Sequence, residues 1–195
     1  MIKTFKQQSR YPAWVILLPL AVSLLCMLCF VCKDAEQVVF PRCFRTEVEK
    51  YAAEFGLDES LVYAVIKTES KFDPEAVSYA GAAGLMQLMP DTFRWLQSLS
   101  GELYEAEMIF TPDVNIRCGC MLLRLLLDEY GDLTVALSAY NAGMGNVTSW
   151  LSDAAYSDDG KTLKGIPFTE TRRYVRKVLW YKEFYEKIYG GMENV

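Results

Sequence analysis

Apolar residues recur with a helical period along most of the chain after residue 45. Between Asp58 and Pro74, the side chains of Val62, Val65 and Ile66 fall on one helical face. Asp58 can cap the start of this helix, and Pro74 cannot continue it. The pattern therefore predicts an amphipathic helix that ends before Pro74.

Capping residues and prolines predict two further helix boundaries. Thr46 and Glu49 have the spacing of a capping box, and Gly56 predicts the end of that helix. Pro90 suits the first turn of a later helix. The stretch between residues 75 and 89 has no clear period, and we expect an irregular segment there.

The second half of the chain predicts three more helices. Residues 113–130 are the most apolar, with Asp113 as the expected cap and Gly131 as the expected stop, which favours a central, surrounded helix. A shorter helix should follow and end at the glycines Gly143 and Gly145, before a polar surface loop at 152–165. The last helix carries an apolar stripe made of Tyr174, Val178, Tyr181, Tyr185 and Ile188. We expect an all-α domain.

The N-terminal region has a different pattern, because residues 14–32 contain no charge. As a helix these 19 residues span about 28 Å, close to the thickness of a hydrocarbon core. Lys3, Lys6 and Arg10 precede the segment, so the positive-inside rule places residues 1–13 in the cytoplasm. This organisation predicts a transmembrane helix at 14–32, a linker at 33–45, a domain at 46–189 and a tail at 190–195. A cleaved signal peptide is the alternative.

Charge and residue types exclude several classes of function. The part after the apolar segment carries 17 basic and 25 acidic residues, a formal charge of −8, which argues against a nucleic-acid partner. The chain has no histidine and no paired CxxC motif, so we expect no metal site and no histidine-based triad. For Cys43, Cys118 and Cys120, a disulfide from Cys43 to either of the others and buried free thiols both remain open.

One ionisable residue, Glu69, lies on the apolar face of the 58–69 helix. It follows Ile66, Val65 and Val62 at the spacings that share a helical face. Desolvation there would raise the pKa of its carboxyl, and a carboxylic acid that keeps its proton near neutral pH can act as a general acid. The alternative is a partly solvated glutamate at a helix end.

The residues after Glu69 suit a sugar-binding groove. Gly81 and Gly84 would allow close approach of the backbone to a ligand, and Gln87 supplies a planar amide. Met86 and Met89 offer adaptable apolar surface, although taken alone they would fit a protein core equally well.

Three separate stretches resemble the motifs of lytic transglycosylases of the soluble type, which are related to goose-type lysozymes. They are "ESKFDPEAVSYAGAAGLMQLMP" from residue 69, "AYNAG" at 139–143 and "IPFTETRRYV" at 166–175. Their order matches that of the family, and the resemblance covers residues 46–189. It implies a lysozyme-like transglycosylase domain, here preceded by a single N-terminal transmembrane helix.

The resemblance also implies the site and its reaction. Glu69 would be the catalytic acid and then base, in cleavage of the β-1,4 bond between N-acetylmuramic acid and N-acetylglucosamine in peptidoglycan, without metal or cofactor. The C6 hydroxyl of the sugar would close on C1 to give a 1,6-anhydro end. The residues implied to line the sugar sites or support the acid are Ser78, Gln87, Met89, Tyr140, Asn141 and Tyr174.

Two other hypotheses are compatible with the same motifs. A lysozyme-type hydrolase would need a second carboxylate, for which Asp91 and Glu170 are candidates. An inactive, membrane-tethered peptidoglycan-binding scaffold would have lost turnover. In each case we expect an extracytoplasmic monomer beside the membrane, where tethering raises its effective concentration at the wall.

Overall fold

The computed structural model describes residues 38–190. The predicted transmembrane segment at 14–32 lies outside these residues, and no helix within 38–190 is long and apolar enough to cross a membrane. Every element named below belongs to the unit that begins at Arg42.

Seven α-helices and one 3₁₀ helix make up the described part of this unit. The helices are α1 (Arg45–Phe55), α2 (Glu59–Glu69), α3 (Pro90–Ser100), α4 (Pro112–Tyr130), α5 (Leu133–Ala142), α6 (Met144–Leu151) and α7 (Thr169–Tyr189), with the 3₁₀ helix at Ala106–Phe110. Antiparallel bridges within 77–88 are isolated and form no named strand there. The all-α prediction is confirmed for the described residues.

Helix α4 lies at the centre, as its composition predicts. It contacts α1, α3, α5 and the 3₁₀ helix, and Ile116, Leu123 and Leu126 are at most 1% exposed. Around it, α2 packs along α7, where Tyr63 stacks on Tyr185 with 5.2 Å between ring centroids. An ion pair of 3.0 Å from Lys182 Nζ to Asp58 Oδ2 joins the start of α2 to α7.

Several predicted boundaries are confirmed. The Asp58 side chain accepts a hydrogen bond of 2.8 Å from the Ser60 amide, and α3 begins at Pro90. Gly56 and Gly131 directly follow the last residues of α1 and α4, and each has left-handed backbone geometry. The polar stretch at 152–165 contains no helix.

Three local predictions are wrong. Thr46 caps nothing, because α1 begins one residue earlier, at Arg45, and Glu49 pairs with Arg42 and Arg45. Thr111, not Asp113, is the residue before α4, and its side chain makes no capping bond. Gly145 does not end α5, which stops at Ala142, but lies within the separate helix α6.

The three cysteines of this region are free thiols. Cys118 and Cys120 are buried in α4, whereas Cys43 is exposed. Burial raises the pKa of the Cys118 thiol to about 11.

Candidate active site

Glu69 is the last residue of α2, and the helix behind it is firmly anchored. Val62, Val65 and Ile66, on the same face, are completely buried. After Glu69 the chain turns sharply, because Lys71 and Phe72 both have left-handed backbone angles (φ 56° and 70°). Two consecutive non-glycine residues in this conformation are unusual, and such strain occurs at functional sites.

The pKa of the Glu69 carboxyl lies above its ordinary value. The residue as a whole is half-buried, but its carboxyl is largely surrounded by protein. Desolvation raises its pKa to about 7, against smaller opposing effects from the Tyr174 hydroxyl and the Lys177 ammonium group. Glu69 therefore holds its proton for a large fraction of the time at neutral pH.

Tyr174, on α7, stands beside this carboxyl. Its hydroxyl is buried and, among the residues described, has no hydrogen-bond partner of normal geometry, yet it lies close enough to lower the pKa of Glu69. Burial raises the pKa of Tyr174 well above the ordinary value, so its phenol stays neutral. A neutral hydroxyl aimed at a carboxylate can stabilise the charged state of Glu69 after proton transfer.

Tyr140 approaches Glu69 from α5. Its hydroxyl donates a hydrogen bond of 2.8 Å to the Met86 carbonyl, and it is near enough to Glu69 for the two charges to interact when both ionise. Tyr140 therefore ties the loop after α2 to the helix that faces it. Asn141, the next residue, is exposed at the end of α5.

Residues 70–89 form the loop that carries the remaining predicted residues, and we call it the 70–89 loop. Ser78 closes a tight turn, accepting a bond of 2.9 Å from the Ala82 amide through its Oγ. The Gln87 side-chain amide donates to the Ala76 and Gly84 carbonyls, at 2.9 Å each, which fixes the orientation of the amide. Met89 is 42% exposed, whereas Met86 is completely buried.

Asn115, which the sequence did not indicate, anchors this loop from α4. Its buried side chain accepts a bond of 2.7 Å from the Met86 amide and donates to the Ala83 and Ile109 carbonyls at 3.1 and 2.6 Å. A Cβ on Gly84 would lie 2.3 Å from Asn115 Nδ2, so Gly84 serves this packing rather than the approach of a ligand. A lone asparagine inside an apolar helix was the available signal.

Two grooves meet at Asn141. The first, which we call the Trp95 groove, has a volume of about 420 Å³ and is lined by Met89, Thr92, Trp95, Tyr140, Asn141 and Met144. The second, the Glu170 groove, measures about 470 Å³ and is lined by Asn141, Ala142, Phe168, Thr169, Glu170 and Thr171. Of the predicted residues, Met89, Tyr140 and Asn141 thus lie together in the first.

The side chains that lower the pKa of Glu69 are those of Tyr174 and Lys177, and neither is a carboxylate. Asp91 is exposed and pairs with Arg94, and Glu170 is also exposed. Among residues 38–190, no group of three or more Cys, Asp or Glu side chains could hold a metal ion.

Comparison with known proteins decides the family. The Transglycosylase SLT domain matches residues 47–163, and the Soluble lytic transglycosylase helical domain matches residues 165–194. The chain belongs to the SLT transglycosylase family.

Its relatives include soluble and membrane-bound members. A "Soluble lytic murein transglycosylase" of Salmonella typhimurium is 33% identical over 158 residues, covering 79% of this chain and 24% of the relative. A "Membrane-bound lytic murein transglycosylase C" of Histophilus somni is 42% identical over 113 residues, covering 51% of this chain and 31% of the relative. The chain thus spans about a quarter to a third of the length of these relatives.

A solved structure shares the fold. An inactive mutant of the lytic transglycosylase Slt from Pseudomonas aeruginosa, with glutamine in place of a glutamate, superimposes with a TM-score of 0.68 at 35% identity. The match covers 78% of this chain and 25% of that one. The SLT transglycosylase fold therefore accounts for most of the described residues.

Proposed function

We propose that this chain is a peptidoglycan lytic transglycosylase, with Glu69 as acid and then base. The observation that carries the proposal is the buried carboxyl of Glu69, whose pKa of about 7 suits proton transfer in both directions at neutral pH. Membership of the SLT family and the names of the relatives, which are murein transglycosylases, support the substrate.

The proposed reaction uses one carboxyl group twice. Glu69 protonates the glycosidic oxygen as the bond between N-acetylmuramic acid and N-acetylglucosamine breaks, and the N-acetyl group of the muramic acid supports the developing cation. The Glu69 carboxylate then takes the proton of the C6 hydroxyl, whose oxygen closes on C1. The product is a 1,6-anhydro end, and no water is consumed.

The environment of Glu69 favours this reaction over hydrolysis. A hydrolase with inverting or retaining stereochemistry generally needs a second carboxylate near the first. The two candidate carboxylates, Asp91 and Glu170, are both exposed, and Asp91 pairs with Arg94. Tyr174 and Tyr140 are the neighbours that would instead position the acid and the loop.

Substrate contacts in this proposal come from the loop and from α5. Ser78, Gln87 and Met89 would line the sugar sites, and Asn141 would contact the strand where the two grooves meet. Residues 14–32 would anchor the chain in the membrane with its catalytic domain outside, as a monomer. The apolar run itself and the existence of a membrane-bound relative support the anchor.

Mass spectrometry of muropeptides tests the reaction. The full-length chain would be incubated with purified peptidoglycan in H₂¹⁸O, beside Glu69→Gln and, as a carboxylate control, Glu183→Gln at an exposed position of α7. We expect 1,6-anhydro ends without ¹⁸O, produced by the wild type and by Glu183→Gln and absent with Glu69→Gln. Reducing ends that carry ¹⁸O would identify a hydrolase, and binding without any cleavage would identify a scaffold.

A further inference from the structure

Trp95 is a large aromatic side chain that lies outside the buried core. On helix α3 its neighbours Phe93 and Leu96 are buried at 2% and 0% exposure, whereas Trp95 is 41% exposed. Within residues 38–190 no aromatic ring stacks on its indole. A partly exposed tryptophan marks a binding surface when it belongs to a contiguous apolar patch.

The surroundings of Trp95 form a concave apolar surface. Met89, Trp95 and Met144 line the same groove and are each about two-fifths exposed, at 42%, 41% and 39%. The fully buried Leu126 closes its floor. Thr92 and Asn141 add polar groups at the edge, so the groove combines flat apolar contact with hydrogen-bonding groups.

Tyr140 is the residue that relates the groove to Glu69. Tyr140 lines it and is close enough to Glu69 to interact with its charge. Met89 immediately precedes α3, and Trp95 lies six residues further along, about 9 Å along the helix axis. A ligand extending from the Glu69 region past Met89 would therefore reach Trp95.

The chemistry of this surface fits a sugar ring. One face of an N-acetylhexosamine presents mainly C–H groups, which stack on the π-face of an aromatic ring, while the hydroxyl and acetamido groups at its rim need hydrogen-bond partners. An indole with threonine and asparagine beside it meets both needs. A purely apolar peptide or an acyl chain would leave Thr92 and Asn141 without partners.

We propose that the Trp95 groove is a glycan subsite remote from the cleaved bond, in which the indole of Trp95 stacks on the face of an N-acetylhexosamine ring. The inference rests on the proposed function, since it assumes that a glycan strand extends from Glu69. It assigns to Trp95 a role in recognising strand length: long strands reach the indole, and short fragments do not.

Kinetics on strands of two lengths test the assignment. Peptide-free glycan strands would be prepared as a long fraction and as tetrasaccharides, and KM and kcat measured with full-length wild type, Trp95→Ala and Trp95→Phe. We expect Trp95→Ala to raise KM for long strands about tenfold, with a much smaller change in kcat. The preference for long over short strands should fall by a similar factor, and Trp95→Phe should restore most of it.

Leu99→Ala is the matched control, because Leu99 is also exposed on α3, at 51%, but does not line the groove. It should keep the wild-type preference. A binding measurement separates recognition from chemistry: in a Glu69→Gln background, long strands should change the tryptophan fluorescence, and Trp95→Phe should remove that change.

The outcomes distinguish the two proposals. If the wild type releases no product from either fraction, the proposed function fails. If the wild type releases 1,6-anhydro products but Trp95→Ala keeps the wild-type KM and length preference, the catalytic proposal stands and the Trp95 subsite is overturned. An equal loss in Leu99→Ala would also overturn it, since the effect would then belong to the helix surface in general.

Discussion

The two parts of the candidate site are built in different ways. Glu69 and Tyr174 stand on the packed helices α2 and α7, where completely buried valines and an isoleucine fix the backbone. Ser78, Gln87 and Met89 stand on the 70–89 loop. Backbone and side-chain bonds within the loop hold it, together with bonds from Asn115 and Tyr140 on two helices. The helical part sets the pKa of the acid, and the loop sets the shape of the surface beside it.

This difference separates the expected effects of mutation. Changes on the helices should alter kcat and its dependence on pH, because they act on proton transfer. Changes that loosen the loop should alter stability and KM, because they act on binding surfaces. The following predictions test that division.

The largest effect is expected from Asn115→Ala. Removing this side chain breaks its bonds to the Met86 amide and the Ile109 carbonyl, and one of the two bonds to the Ala83 carbonyl, which still accepts from the Leu88 amide. We therefore expect a loss of roughly 2–4 kcal/mol in the free energy of unfolding. Urea titration measures it. Asn146→Ala, an exposed asparagine with one bond to the Ala142 carbonyl, is the control. Equal effects of the two changes would refute the anchoring role of Asn115.

Tyr174→Phe should act on kcat. The phenol helps the Glu69 carboxylate to form, and its loss should lower kcat by about one to two orders of magnitude with little change in KM. Steady-state rates on peptidoglycan, with the urea midpoint measured in parallel, test this. A wild-type kcat would make Tyr174 a packing residue of the α7 stripe.

Glu69→Gln should stabilise the fold in alkaline solution. The folded pKa of about 7 exceeds the ordinary value of 4.5, so the folded state binds more protons than the unfolded state between these values, and stability falls as pH rises through this range. Glutamine does not ionise, so the folded state of the variant does not lose stability through this range. We expect the variant to gain roughly 1–2 kcal/mol over the wild type at pH 8, after allowance for partial exposure, and little at pH 4. An equal difference at both pH values would contradict the shifted pKa.

Lys177→Met should give the smallest effect. The ammonium group favours the charged carboxylate, so its removal should raise the pKa of Glu69 and move the alkaline limb of kcat/KM upward by a few tenths of a pH unit. Arg176→Met, at an exposed neighbouring position, should leave the profile in place. A downward shift in Lys177→Met would show that another group controls this limb.

Local signals in the sequence predicted much of the helical part. Asp58, Pro90 and Gly131 mark real boundaries because their effects depend on the adjacent backbone alone. The capping box at Thr46 failed because Arg42 and Arg45 bind Glu49, and α6 was missed because Gly145 suggested a stop. In the first failure, ion pairs outweighed the local preference; in the second, a glycine was accommodated inside a helix.

The candidate site also has one part that local sequence signals predict and one part that they do not. The position of Glu69 on an apolar face was visible from helical spacing, and the motif resemblance pointed to Tyr174. The roles of Asn115 and Trp95 depend on contacts across the fold, 29 residues apart for the bond from the Met86 amide to Asn115. No local pattern shows which loop an isolated asparagine will hold, or that an exposed indole faces a groove.

The raised pKa at the end of α2 has a consequence for when the proposed acid forms during folding. Until α2 docks on α7, Glu69 is a solvated carboxyl with an ordinary pKa, ionised at neutral pH and unable to donate a proton. Under the proposed function, an incompletely folded chain would therefore lack the acid that the reaction needs. The raised pKa depends on the docked helices, so the acid and the completed fold form together.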